Sequence, residues 1–275
     1  YGHEGAQHVI DIAVPDIEGF IVAGIYSKDQ ESSLFRPFLA RLDIRGRVVW
    51  ESRDEGQNLK TVQQMIQHKN SFYIIGNIKD PKRGQGLYLA RYSIDGKRLH
   101  QAPLFQGGYD LDVKAMAQSV SGDDFIIAAT RYKKGTGKKL GEGVLFKVTK
   151  TGGVIWQRRY SPGIKTVFHA VETNKDGHYT VTGQIEQDDG RMAGWILRVD
   201  DKGTIIWQRP YPRGSFASIN KSSTMPDGSI VLVGQVNPVG GGPDSAWVMK
   251  VDSLGTALWQ RYFSGHYKYT APDMI

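Results

Sequence analysis

Five times along this chain a glycine is followed four residues later by a large ring: Trp50 after Gly46, His100 after Gly96, Trp156 after Gly152, Trp207 after Gly203 and Trp259 after Gly255. The copies recur at roughly 50 residues, and self-similarity at that period marks a solenoid, a propeller or an array rather than one irregular globule. Any fold for this chain must therefore be built from one unit written five times.

The copy from Tyr160 to Gln208 shows the unit most plainly. A mixed segment from Val167 to Thr173 leads into the turn Asn174-Lys175-Asp176-Gly177, and a β-branched run follows from His178 to Gly183. A polar loop from Gln184 to Ala193, a second apolar run from Trp195 to Val199, and a turn from Asp200 to Gly203 then lead to Thr204–Trp207. Short runs of this kind, bounded by turn residues, read as four strands. The second strand recurs as Phe20 to Gly24, Phe72 to Gly76, Phe125 to Ala129, Tyr179 to Gly183 and Ile230 to Gly234, and no helical period of useful length intervenes. Four antiparallel strands per repeat predict an all-β chain folded as a β-propeller of four-stranded blades.

Five repeats are complete. The reading is one domain over 1–275, with blades at 1–53, 54–103, 104–159, 160–210 and 211–262. Residues 263–275 align with Tyr160–Glu172 and so form either a closing tail of a five-bladed ring or the start of an incomplete sixth blade. Asp176-Gly177 and Asp227-Gly228 serve the first-to-second turns, and the Asp-x-x-Gly segments ending at Gly203 and Gly255 serve the third-to-fourth turns. The opposite face carries loops of variable length and composition, where binding is expected.

The chain is cysteine-free, which excludes disulfides, thiolate metal sites and cysteine nucleophiles. It holds 33 glycines, suiting many tight turns, and a net charge of +7 that favours anions without naming one. No stretch approaches the ~20 apolar residues of a membrane span, and no basic-then-apolar leader opens the chain at Tyr1, so an export signal, if one exists, has been removed. These features suit a periplasmic or extracellular protein.

The phrases from Val199 to Arg209 and from Val251 to Arg261, with Asp200-x-x-Gly203 and Trp207 matched by Asp252-x-x-Gly255 and Trp259, resemble the bacterial quinoprotein-like (PQQ-like) propeller repeats. The resemblance spans nearly the whole chain and implies that Trp50, Trp156, Trp207 and Trp259 dock one blade against the next. His100 departs from the pattern, as do Ser93 and Thr149 where the other copies have aspartate, so those blades are expected to pack less regularly. Quinone chemistry in that family uses larger rings and a calcium-held cofactor. No motif for either stands here, so the reading assigns no cofactor.

Catalytic residues are not assigned either. Five-bladed glycosidases, a comparison drawn at the level of fold, need separated carboxylates from different first strands, but the equivalent places here hold Asp11, Gln63, Ala170 and Lys221, with the third copy blurred near Ala115. Glu172 and Asp112 are the other carboxylates that could face the channel. The seven histidines show no metal-ligand spacing, so no metal is assigned. A basic residue precedes each anchor by nine positions (Arg41, Arg91, Lys147, Arg198 and Lys250) and is read as scaffold, paired with a turn aspartate such as Asp43, Asp200 or Asp252.

The less regular basic segment Arg131, Tyr132, Lys133, Lys134, Lys138 and Lys139 is the candidate binding site, on the presumed loop face. The expected function is a non-catalytic scaffold, not an enzyme, that binds a protein partner within a larger envelope assembly. An anionic glycan or lipid surface is a further possible partner, and nucleic acid is disfavoured. The alternative is a carbohydrate-binding or glycan-cleaving propeller with Tyr26, Tyr132 and Trp195 as sugar-stacking rings, although Trp195 and Trp247 recur at equivalent places and read as core.

Overall fold

The computed structural model describes residues 7–14, 19–27, 36–53, 59–136, 140–237 and 244–263. Within them the chain is all-β, as its alternating and β-branched runs require. The first sheet holds β1 (Gln7–Ala13), β2 (Phe20–Tyr26), β3 (Arg36–Leu42) and β4 (Val48–Arg53) in that order. The second holds β5 (Gln64–His68), β6 (Ser71–Asp80), β7 (Gly84–Ser93) and β8 (Arg98–Leu104). The third holds β9 (Tyr109–Gln118), β10 (Asp124–Lys133), β11 (Gly141–Thr149) and β12 (Val154–Tyr160).

The next eight strands form one sheet of two antiparallel halves: β13 (Thr166–Thr173), β14 (Tyr179–Glu186), β15 (Met192–Val199) and β16 (Ile205–Tyr211), then β17 (Phe216–Thr224), β18 (Ile230–Asn237), β19 (Ser245–Val251) and β20 (Ala257–Phe263). A single parallel bridge, Met192 to Phe216, joins the halves. Each group of four is a meander in which sequential strands pair, the propeller-like arrangement that the repeat predicts. The fold comprises two compact units, residues 1–114 with 148–153 and residues 115–147 with 154–275.

Burial follows strand position. The middle strands are largely apolar and nearly wholly buried, as in β6 and β15, whereas the fourth strands are exposed except at two residues four apart, Trp156 and Tyr160 in β12 and Trp207 and Tyr211 in β16. The core of the first unit gathers Ile21, Leu39, Met65, Phe72, Ile74 and Tyr88, with Trp50 packed against it. In the second unit Phe168, Val181, Trp195 and Leu197 form one cluster, and Ile219, Leu232, Trp247 and Met249 form another. The Phe168 and Trp195 rings stack 5.6 Å apart and 3° from parallel.

The glycine that closes the second-strand phrase has a steric cause. First strands carry a β-bulge, with register shifts between Val9 and Asp11, Phe168 and Ala170, and Ile219 and Lys221. At each bulge the first strand's backbone presses on its partner: a Cβ on Gly24 would stand 2.2 Å from the His8 carbonyl oxygen, on Gly183 2.0 Å from that of Val167, and on Gly234 1.9 Å from that of Ser218. Only a residue without a side chain lets the strands pair there. Replacing Gly183 by alanine is therefore expected to lower stability by about 1–3 kcal/mol, read as a drop in denaturant midpoint at unchanged m-value; an unchanged midpoint would contradict the close approach.

Candidate functional site

Beyond its bulge, β13 carries Glu172, and β17 carries Ser222 and Thr224. The Glu172 carboxylate accepts the Thr224 backbone N–H at 2.8 Å and the Ser222 hydroxyl at 3.2 Å. Next to it the Thr224 hydroxyl donates to the Asn174 side-chain oxygen at 2.7 Å, and the Asn174 amide donates to Thr180 at 2.9 Å. A cavity of about 530 Å³ opens beside this network, lined by Gln118, Ser119, Glu172, Thr173, Asn174 and Lys175 among others. Burial pushes the Glu172 carboxyl above its ordinary range, and the hydrogen bonds from Thr224 and Ser222 only partly offset it.

A carboxyl that holds its proton more tightly than usual, at the wall of a polar cavity, can donate a proton or a hydrogen bond to a bound molecule. The other first-strand carboxylates are engaged differently. Asp11 accepts the backbone N–H groups of Ile12 at 2.9 Å and Met65 at 2.7 Å. Asp112 lies 3.4 Å from both the Asn77 amide and the Lys114 ammonium. Gln63 bonds Thr61, and Ala170 and Lys221 mark the ends of bulges.

The raised carboxyl has a thermodynamic signature. The folded state keeps the Glu172 proton at pH values where the unfolded chain has released it, so stability from this group is complete below the ordinary glutamate range and falls as pH rises through the folded value. The Glu172→Gln variant should lack that component. Urea unfolding across the acid-to-neutral range should show wild type losing stability relative to the variant as pH rises; parallel curves would refute the burial of this charge.

The basic segment is only partly a loop. Arg131 and Tyr132 lie within β10 and are buried, with the Arg131 guanidinium 2.5 Å from the Glu142 carboxylate. Lys133 ends the strand exposed, and its carbonyl accepts the Thr136 N–H and hydroxyl in a turn. Lys134 is half-buried, while Lys138 and Lys139 lie outside the described residues. Tyr26, Tyr132 and Trp195 are all buried, so none offers the open face that stacking a sugar requires.

The recurrent basic residues pair otherwise than expected. Arg198 bonds Asp176, Lys250 lies 3.5 Å from Asp227, and Lys147 binds Asp201 at 2.7 Å, while Arg91 donates to Ser71. Asp43, Asp200 and Asp252 instead hold their own turns: each carboxylate accepts two backbone N–H groups, as Asp200 does from Lys202 at 2.8 Å and Thr204 at 2.7 Å. Desolvation opposes ionisation of Asp200, but those N–H groups outweigh it and hold the carboxyl below the usual range. Ser93 and Thr149 accept the same fourth-residue N–H through their hydroxyls, so their turns keep the hydrogen bond of the aspartate turns.

Trp50, Trp156 and Trp207 lie against the glycine turns at Gly96, Gly203 and Gly255, beside hydrogen bonds that the sequence reading missed. The Trp156 indole donates to the Asp201 carbonyl at 3.1 Å, and the Tyr160 hydroxyl to the Gly203 carbonyl at 2.6 Å. Tyr211 repeats the latter bond on Gly255 at 2.6 Å. His100 substitutes for tryptophan by meeting the Thr151 carbonyl at 3.0 Å. Tyrosine four residues beyond the anchor, in two copies, was the available sequence signal. The last copy differs: Trp259 is 43% exposed and Phe263 55%, whereas Tyr160 and Tyr211 are 5% and 7% exposed.

No known sequence family matches the chain, and no curated protein does. Among solved structures it is similar to a chimera of apocarotenoid oxygenase (ACO) and RPE65, with a TM-score of 0.56 at 14% identity over 96% of this chain and 62% of that one. A Synechocystis apocarotenoid oxygenase gives a TM-score of 0.54 at 14% identity over 92% and 60%. The chain thus spans about three fifths of these structures. A GH43 β-1,3-galactosidase aligns with a TM-score of 0.45 at 12% identity over 80% and 78%. The expectation that the chain is not an enzyme is corrected by the likeness to the oxygenase structures: the fold that it shares is one in which enzymes have been solved, so the architecture gives no ground for placing it outside catalysis.

Proposed function

We propose that this chain is a propeller-type protein-interaction module of five blades, part of a larger exported or envelope-associated bacterial assembly, with the quinoprotein-like repeat as its building unit. One observation carries the reading: the aromatic face of β20, whose equivalents in β12 and β16 are covered, is open to solvent at Trp259 and Phe263. An exposed patch of large rings marks an interaction surface more often than a solvated one.

The test is retention of partners from a bacterial envelope extract by the immobilised chain, beside a Trp259→Ala, Phe263→Ala double variant of unchanged melting temperature. A protein held by wild type and lost from the variant supports the reading; equal retention by both overturns the assignment of this face.

The raised Glu172 carboxyl at its cavity favours a second reading, binding or cleavage of a hydroxyl-rich molecule, as in the carbohydrate alternative. Acid catalysis by one protonated carboxyl contributes roughly 10²–10⁴-fold to such a reaction. Screening wild type and Glu172→Gln against a panel of glycosides decides it: turnover or glycan binding lost in the variant supports this reading, and the absence of both from wild type removes it.

A further inference from the structure

We infer that the cavity beside Glu172 selects an anionic sugar, a hydroxyl-rich small molecule carrying one carboxylate or phosphate group, and that Lys175 is the residue that reads the charge. The inference rests on the carbohydrate reading of that cavity and names the class of molecule it takes. Every residue lining the cavity belongs to the second unit. Its volume of about 530 Å³ falls within the ~300–1,000 Å³ of small-molecule sites.

No aromatic ring lines the cavity among the described residues, so stacking does not hold a sugar there and polar groups must orient it. Most of these polar groups are already turned toward neighbours. The Gln118 amide donates to the Gly122 carbonyl at 2.8 Å, the Thr173 hydroxyl donates to the Gln118 carbonyl, and the Ser119 hydroxyl lies 2.9 Å from that of Ser121. Asn174 is engaged at both ends of its amide, by Thr224 and by Thr180. Glu172 and Lys175 are the two ionisable groups of the wall.

Their charges do not cancel. Burial keeps the proton on Glu172 beyond the ordinary glutamate range, which makes the carboxyl a neutral donor in mild acid. Lys175 presents an exposed ammonium that forms no ion pair among the described residues. The carboxylate next along the turn is committed elsewhere: Asp176 accepts a hydrogen bond from Arg198 and lies 3.1 Å from the His178 ring nitrogen. Arg198, buried on β15, adds a second positive charge that reaches Glu172, and its Nη1 has no hydrogen-bond partner. A donor-rich wall of this kind is matched by a ligand with many acceptor oxygens and one negative charge at the Lys175 end. A lone ammonium acts as a point charge and grips a carboxylate or a phosphate alike, so the wall specifies an acidic group without choosing between the two.

Lys175 is also held in place to do this. Its turn is closed by the Gly177 N–H on the Asn174 carbonyl at 3.1 Å and the Asn174 N–H on the His178 carbonyl at 2.8 Å. Neither bond uses the lysine side chain, so replacing that side chain alters the charge and leaves the turn intact.

NMR titration of the full chain with glucuronate, glucose 6-phosphate and glucose tests the selection, beside the variants Lys175→Gln and Lys175→Glu. Wild type should bind at least one of the two anions about fivefold more tightly than glucose, the scale of an exposed charge pair, and added salt should shrink the difference. Lys175→Gln should bring the affinity for that anion down to the affinity for glucose and leave glucose binding unchanged, and Lys175→Glu should lower it further. The ranking of the two anions identifies carboxylate or phosphate as the preferred group.

Equal affinity of wild type for all three ligands, or an anion preference that survives Lys175→Gln, overturns the charge selection while hydroxyl binding at the cavity stands. Binding of none of the three overturns the proposal, and the glycoside panel then decides the carbohydrate reading by itself.

Discussion

The contact of a ring with a glycine turn is the constraint from which most of this structure follows. A four-stranded antiparallel sheet with two apolar faces cannot stand alone in water, so each repeat must hand one face to the next. Trp50 on Gly96, Trp156 with Tyr160 on Gly203, and Trp207 with Tyr211 on Gly255 perform that transfer. The turn must lack a side chain for the ring to approach, and it must expose a carbonyl for the indole or phenol to bond. Both demands fall on the same Asp-x-x-Gly segment, which accounts for its recurrence.

That economy explains how substitutions are absorbed. Serine and threonine stand in for aspartate because the turn needs an oxygen acceptor rather than a charge, and Ser93 and Thr149 supply one. Histidine stands in for tryptophan at position 100 because a ring nitrogen still reaches a turn carbonyl. The recurrent basic residues, by contrast, serve whichever aspartate lies near: Asp176 and Asp227 in first-to-second turns, Asp201 in a third-to-fourth turn. Partly exposed pairs of this kind contribute only ~0–1 kcal/mol, so loose partnering is tolerated where the ring contact is not.

Glu172 belongs to a different class of feature. Its carboxylate holds β17 through the Thr224 N–H, which is a structural task, yet it does so at the wall of a cavity where burial raises its proton affinity. The same residue can thus join two strands and present a protonatable group to a ligand.

Sequence by itself determined the repeating unit, the four strands within it, both turn types and the anchoring rings, because strand alternation, turn glycines and the spacing of tryptophan are local properties written in order along the chain. It could not place the candidate site. Arg131 and Tyr132 read as a basic loop but are the buried end of β10, since the strand continues past the point where its apolar run stops. Tyr26 was open to a reading as an exposed ring and is core, whereas the recurrence of Trp195 and Trp247 already marked those two as core. Glu172 read as one polar residue among several, and only the approach of β17, about 50 residues away, gave it partners, burial and a cavity. Pairing across such separations is set by how sheets meet rather than by neighbours in the chain, and for that reason the tertiary structure alone decided which carboxyl is unusual and which ring is left uncovered.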